Sequence, residues 1–269
     1  MEFRKLAAGT AALTGVLMLL GVYTAAAGAG LTCGQRWPLC DGFLGLFPAN
    51  WPSFIEWFHR FVAMITGFVI LATTIQAWRT GQESRVKYAS TLALVILPVQ
   101  VVLGGLTVLQ YEWAILIAHF ATATSIFALL TLAAAWSWKG ALDRTAARAR
   151  TATLAAAGAL PVAAVFTPRL FVTFGEAVQV VYYALALAAF GSLVAATVWL
   201  RAERTKLVTG LAAAIVAALL VLGRQNFDTT VAYAALAATL VAASLALLGS
   251  QWAKQEIGVT HTTSIFTDD

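Results

Sequence analysis

Eight apolar runs, at about residues 6–28, 54–78, 88–109, 113–138, 151–167, 173–200, 207–223 and 229–252, account for most of the chain. A helix rises 1.5 Å per residue, so roughly 20 apolar residues cross a hydrocarbon layer about 30 Å thick, and each run is near that length. Lipid offers no hydrogen-bond partners, so backbone groups inside it must be satisfied within the segment, which makes these runs helices. Only 11% of the 269 residues are charged and 61% are hydrophobic, against about 25% charged in soluble domains, so a water-soluble fold is excluded. The 151–167 run is the weakest because Pro161 interrupts it, and a six-helix count is the alternative. Arg4 and Lys5 ahead of an apolar run resemble a signal peptide, but the run reaches about residue 27, too long for a cleaved core, and is read as the first span.

The charges orient these spans. Arg79, Arg85 and Lys87, then Lys139, Arg144, Arg148 and Arg150, then Arg201, Arg204 and Lys206 fall in the connections after the second, fourth and sixth runs, and Arg4, Lys5 and Lys254 lie at the two ends. By the positive-inside rule this side is cytoplasmic, so both termini are inside. The outer loops at 29–53, 110–112, 168–172 and 224–228 carry only Arg36, Arg169 and Arg224 as basic residues. The net charge of +5 is therefore a matter of membrane topology, and nucleic acid is not expected as a partner. No Arg- and Ser-rich leader precedes the first run, which points to a prokaryotic plasma membrane rather than mitochondrial import.

A short internal repeat divides the chain. Pro48 is followed eight residues on by Glu56 and then His59; Pro168 is followed eight residues on by Glu176 and then Gln179. Each copy has an even number of crossings, so the two point the same way. The expected fold is an all-α integral membrane bundle of eight spans, in two four-helix halves at 1–139 and 140–269 related by a pseudo-twofold along the membrane normal.

Ionisable residues inside spans are few, and each is a candidate for function. Among the three histidines, His261 falls in the polar C-terminal tail and reads as solvated. His59 and His119 each lie about six residues in from the outer surface, roughly 9 Å deep by helical rise, and can face one another. Paired histidines on facing helices suit a haem iron gripped from both sides; the plainer reading is two imidazoles hydrogen-bonded to their surroundings. Glu56 lies one turn from His59 on the same face, and Arg60 is placed either to pair with Glu56 at i, i+4 or to neutralise the carboxylates of a ligand. Arg169 and Glu176 occupy related places in the second half, without a histidine. Cys33 and Cys40 face an oxidising compartment and are expected to form a disulfide, serving either as a staple for the outer loop or as a redox pair for a thiol partner. A zinc site would need more ligands than this loop offers.

Several of these segments together resemble the haem A synthases of bacterial and archaeal type: Gly30-Leu31-Thr32-Cys33-Gly34, Trp37-Pro38-Leu39-Cys40-Asp41-Gly42, Ile55-Glu56-Trp57-Phe58-His59-Arg60, Gly104-Gly105-Leu106-Thr107-Val108, and His119 followed by small residues. The resemblance covers about residues 10–135; beyond that it rests on helix count and hydropathy. It implies an oxidoreductase that converts the C8 methyl of haem O to the formyl of haem A by successive hydroxylation with water-derived oxygen. It implies that His59 and His119 ligate the substrate haem iron, that Glu56 is the essential carboxylate and that Cys33 and Cys40 are the outer-loop pair. Charge alone suggests Arg60 as a propionate contact. A haem O synthase as substrate donor, the terminal oxidase assembly machinery and a thiol-disulfide partner are the expected associates.

The chain departs from that family in its second half. Members carry a second histidine pair there for a haem b, whereas Gln179 stands at one of those positions and no histidine occurs between His119 and His261. Gln is not a usual axial ligand, so no bis-histidine haem b is expected in the second half. Two other functions fit parts of the pattern. A membrane b-type cytochrome would hold one haem and relay electrons without altering it. A transporter would use the repeat, but the matching broken helices at mid-membrane are absent.

Overall fold

The structure, a computed structural model, describes residues 2–110, 112–140, 145–224 and 228–265, with side chains as far as Ile257. Eight α-helices follow in order: α1 Phe3–Ala26, α2 Trp51–Arg79, α3 Ser84–Leu109, α4 Trp113–Lys139, α5 Thr145–Val165, α6 Glu176–Trp199, α7 Glu203–Leu222 and α8 Thr229–Ile265. Two short 3-10 turns, Ala29–Leu31 and Phe43–Gly45, lie in the outer loop, and the described residues form no strand. This is an all-α multi-pass plasma-membrane protein.

Seven of the helices are long and apolar enough to cross a membrane. The exception is α5, whose first turns carry Arg148 and Arg150 and whose body is rich in alanine. It packs along α6 and α8, burying Ala149, Thr153, Ala156, Leu160 and Ala163. A helix covered by protein needs less lipid-facing apolarity, and its small residues allow close approach. Pro161 lies inside α5 without ending it; neighbouring helices make such a residue tolerable in a bundle.

The other boundaries follow local chemistry. α2 begins ahead of the apolar run because the Asn50 side chain accepts the Ser53 N–H at 3.0 Å and Pro52 suits the first turn. α8 continues well past 252, so the backbone of the C-terminal tail is helical as far as Ile265. Glu256 anchors this extension by accepting the backbone N–H groups of Arg201 and Ala202 at 3.0 and 3.2 Å, at the start of α7. The side chain of His261 lies outside the described residues.

Hydroxyls inside the spans are satisfied by the preceding turn. Thr14, Thr66 and Thr74 each donate to the carbonyl four residues back, and Thr10 and Thr73 pair across α1 and α2 at 2.7 Å. The packing has a repeated form. α1 touches α2, α2 touches α3, α3 touches α4 and α4 returns to α1; the neighbours of α5 to α8 run in the same cyclic order. The two groups meet where α4 lies against α6 and α7, and α1 against α6. There Met18, Val22, Phe120 and Phe127 interdigitate with Tyr182, Tyr183, Phe190 and Leu193.

The two groups are filled differently. The interior of α5–α8 is closed by side chains, with Tyr183, Leu160, Leu193 and Leu220 fully buried. The inner end of α1–α4 is closed by two smaller apolar clusters, around Phe3, Ala77 and Val86 and around Ile70, Ile126 and Leu130. Its outer end is hollow.

Candidate functional site

In the first ring α2 and α4 are diagonal rather than adjacent, so side chains pointing inward from their outer turns face a common space. That space is a cavity of about 740 Å³, within the roughly 300–1,000 Å³ range of small-molecule and cofactor pockets. Its walls are apolar for the most part, with Leu17 and Met18 on α1, Phe61, Met64 and Ile70 on α2, Leu97 on α3 and Ile126 on α4. Besides threonines, its polar members are Glu56, His59 and Arg60 from α2, Gln100 from α3, His119 from α4, and Arg224.

Both imidazoles are seated by glycine. A Cβ placed on Gly21 of α1 would lie 3.1 Å from His59 Cε1, and one on Gly104 of α3 would lie 3.1 Å from His119 Cε1. Any larger residue at either place would push the ring aside. Gln100 Nε2 lies 3.4 Å from His119 Nε2, and the Thr122 hydroxyl donates to Gln100 Oε1. The Nδ1 atoms of His59 and His119 are buried without a hydrogen-bond partner among the described residues. Two half-buried imidazoles in one cavity, each with a ring nitrogen that has no protein partner among the described residues, suit axial ligation of a haem iron.

Glu56 is 5% exposed, and the Arg60 Nε donates to its Oε1 at 2.7 Å. Arg60 also donates through Nη1 to the carbonyls of Arg36 and Leu39, at 3.1 and 2.9 Å. Both carbonyls belong to the segment closed by the Cys33–Cys40 disulfide, which is formed and buried. With both sulfurs in that bond, neither cysteine is free to bind a metal. The same segment caps the cavity: Trp37 and Pro38 line it, and the Trp37 ring lies against Gly105 of α3.

Asp41 fastens this cap to the start of α2. It accepts from the Ser53 hydroxyl at 2.6 Å, the Ala49 N–H at 3.0 Å and Asn50 Nδ2 at 3.4 Å. The Ser53 hydroxyl, and after it the Ala49 N–H, hold its carboxyl below the usual carboxylate range. A ladder of rings, Trp51, Phe54, Trp57 and Phe61, runs down the outer end of α2, as expected where a helix enters the headgroup region.

Met64, Phe68 and Leu71 of α2 and Val101 of α3 line the cavity and are also exposed on the outside of the bundle, Phe68 by 65%. The cavity therefore opens sideways between α2 and α3, toward the lipid-facing surface.

The related place in the second half differs. Glu176 is exposed at the start of α6, unlike Glu56. Gln179 donates to the Phe174 carbonyl at 3.1 Å, and the interior beyond it is filled by Tyr182 and Tyr183.

Comparison with known proteins finds one family model. The family model described as cytochrome oxidase assembly protein, COX15-CtaA, matches residues 49–167. Over this segment the chain is similar to the proteins that this family model describes. A protein named Heme A synthase from Bacillus licheniformis is 36% identical over 134 residues, covering 46% of this chain and 44% of its own length. One of the same name from Bacillus pumilus is 31% identical over 123 residues. A protein named Protoheme IX farnesyltransferase from Halobacterium salinarum is 38% identical over 123 residues, covering 45% of this chain and 27% of its own length. The chain thus spans less than half the length of these haem A synthases and about a quarter of the farnesyltransferase.

Of the polar groups around the cavity, Gln100 was not singled out from the sequence. Its signal was present: an amide two residues after Pro98 in an otherwise apolar span.

Proposed function

We propose that the first half of this chain binds haem O between His59 and His119 and oxidises its C8 methyl to a formyl group, as a haem A synthase. The observation that carries this reading is a buried carboxylate, Glu56, lining the same cavity as two half-buried histidines whose Nδ1 atoms are buried and unpartnered among the described residues. A haem-relay protein needs the histidines alone; a carboxylate held in an apolar cavity is costly and suits a reacting centre.

Each hydroxylation joins water-derived oxygen to the methyl carbon and releases two protons and an electron pair, which must pass to an external electron acceptor such as a membrane quinone; the second gives a hydrate that loses water to leave the aldehyde. Glu56 is the group in the cavity suited to accept a proton from the attacking water or to stabilise positive charge on the oxidised carbon. Arg60 sets the direction of that carboxylate. The outer cap, with Trp37 and Pro38, limits access of bulk water. The opening between α2 and α3 suits a substrate with a long prenyl tail, which would lie in lipid while the macrocycle sits within.

The shared segment in proteins named Protoheme IX farnesyltransferase is a reason to expect a haem-prenylating enzyme as substrate donor, and the family description a reason to expect terminal oxidase assembly as the destination. We read the second half as a scaffold without a bis-histidine haem, on the grounds of Gln179 and the closed packing around Tyr183. A thiol-disulfide partner for Cys33 and Cys40 fits the outer position of that pair.

Co-expression with a haem O synthase, purification, and identification of the extracted haems by chromatography and mass test the reading. Haem A or its hydroxylated intermediate is expected from the unaltered chain and is lost in Glu56→Gln and His59→Ala. Unmodified haem in every case would overturn it in favour of a b-type cytochrome.

A further inference from the structure

Among the described residues lining the cavity, Arg224 alone comes from beyond residue 140. It follows the end of α7 and reaches across the boundary between the halves. Its guanidinium carbon lies 5.7 Å from the centre of the Phe120 ring and 5.5 Å from that of Tyr183, and these rings meet edge to face at 5.3 Å. Phe120 is the residue next to His119, so the cation is carried to the flank of a proposed iron ligand.

The charge of Arg224 is not neutralised by protein. No carboxylate forms an ion pair with it among the described residues, and its Nε is buried without a hydrogen-bond partner. Two aromatic faces and the nearby Tyr183 hydroxyl offset part of the cost of holding a guanidinium here, but its Nε is left without a partner and no carboxylate meets it. The other arginine of the cavity is committed differently: Arg60 is engaged by Glu56 and by two carbonyls of the cap.

We propose that Arg224 is the anion anchor of the cavity and takes a propionate carboxylate of the bound haem, so that the second half completes the site of the first. The inference rests on the haem reading above. A macrocycle held only by its axial ligands can turn about the line joining them. A charged contact at its edge stops that rotation and fixes which methyl is presented to Glu56. This gives the second half a positioning role that needs no cofactor of its own. A guanidinium is suited to it because it meets a carboxylate through two parallel hydrogen bonds.

Titration of the purified full-length chain with iron protoporphyrin IX and, separately, with its dimethyl ester tests this, followed by the low-spin absorption of the bound haem. The unaltered chain is expected to bind the diacid about tenfold more tightly than the diester, a preference that should fall below about threefold in Arg224→Gln and return in part in Arg224→Lys. The diester affinity and low-spin spectrum should be unchanged in both variants, which shows that they are folded. Absence of a diacid preference in the unaltered chain, its persistence in Arg224→Gln, or an equal loss of affinity for both compounds would overturn the role of Arg224. If neither compound gives a low-spin complex with the unaltered chain, the haem reading itself is overturned.

Discussion

Arg60 joins Glu56 to the outer cap: one guanidinium donates to the Glu56 carboxylate at 2.7 Å and to the Leu39 carbonyl at 2.9 Å. The proposed catalytic carboxylate and the disulfide-closed loop are therefore held by one side chain. Arg60→Ala would leave a carboxylate that is 5% exposed without its partner, at a cost of about 3 kcal/mol. Arg60→Lys keeps the charge but not the fork, and is expected to preserve haem binding while lowering turnover. Thermal unfolding in detergent checks the first outcome, and haem content together with the yield of oxidised haem checks the second.

The imidazole seats give a second prediction. Gly21→Ala and Gly104→Ala each place a methyl 3.1 Å from a histidine Cε1 and should displace that ring without removing it. The expected result is a loss of low-spin haem signal comparable to that of His59→Ala or His119→Ala, in protein whose helical content is unaltered. Normal low-spin spectra in both glycine variants would show that neither ring is the ligand.

Acid should loosen the cap through Asp41. Its folded carboxyl lies below the ordinary value, so its contribution is complete above that ordinary value and is lost as pH falls through the depressed one. Reduction of Cys33–Cys40 by a phosphine, which remains active in acid, is expected to speed up over that window. In Asp41→Asn the disulfide should already be reduced faster at neutral pH, with a flatter pH profile. Equal rates for the two proteins at all pH values would show that Asp41 does not fasten the loop.

The lateral opening can be narrowed by Met64→Trp, at a residue that lines the cavity and is 54% exposed. A bulkier side chain there should slow loading of a prenylated haem several-fold and leave that of unprenylated protohaem unchanged. Stopped-flow absorbance with the two haems reads the difference; an equal effect on both would mean that the tail enters elsewhere.

Much of the site was legible in the sequence because lipid makes every polar residue in a span conspicuous. His59 and His119 at equal depth, and Glu56 one turn nearer the surface, stand out for that reason, and they do line one cavity. Arg60 was left between two roles, and the ion pair with Glu56 is present, joined by cap contacts that spacing within one helix could not reveal. α5 shows the opposite limit. Its alanines and two arginines make a poor span by hydropathy, and only its burial against α6 and α8 explains why it belongs in the bundle.

The sequence by itself determined the helices, their membrane setting and the cysteine pair, because transfer to lipid and backbone hydrogen bonding act on each segment alone. Which half is hollow and which is filled was decided by tertiary packing, since Tyr183 and Leu193 close one interior while glycines on α1 and α3 hold the other open around the histidines. The approach of Arg224 to His119 belongs to the same level. More than a hundred residues separate them, and no local pattern encodes the contact of α4 with α6 and α7 that brings them together.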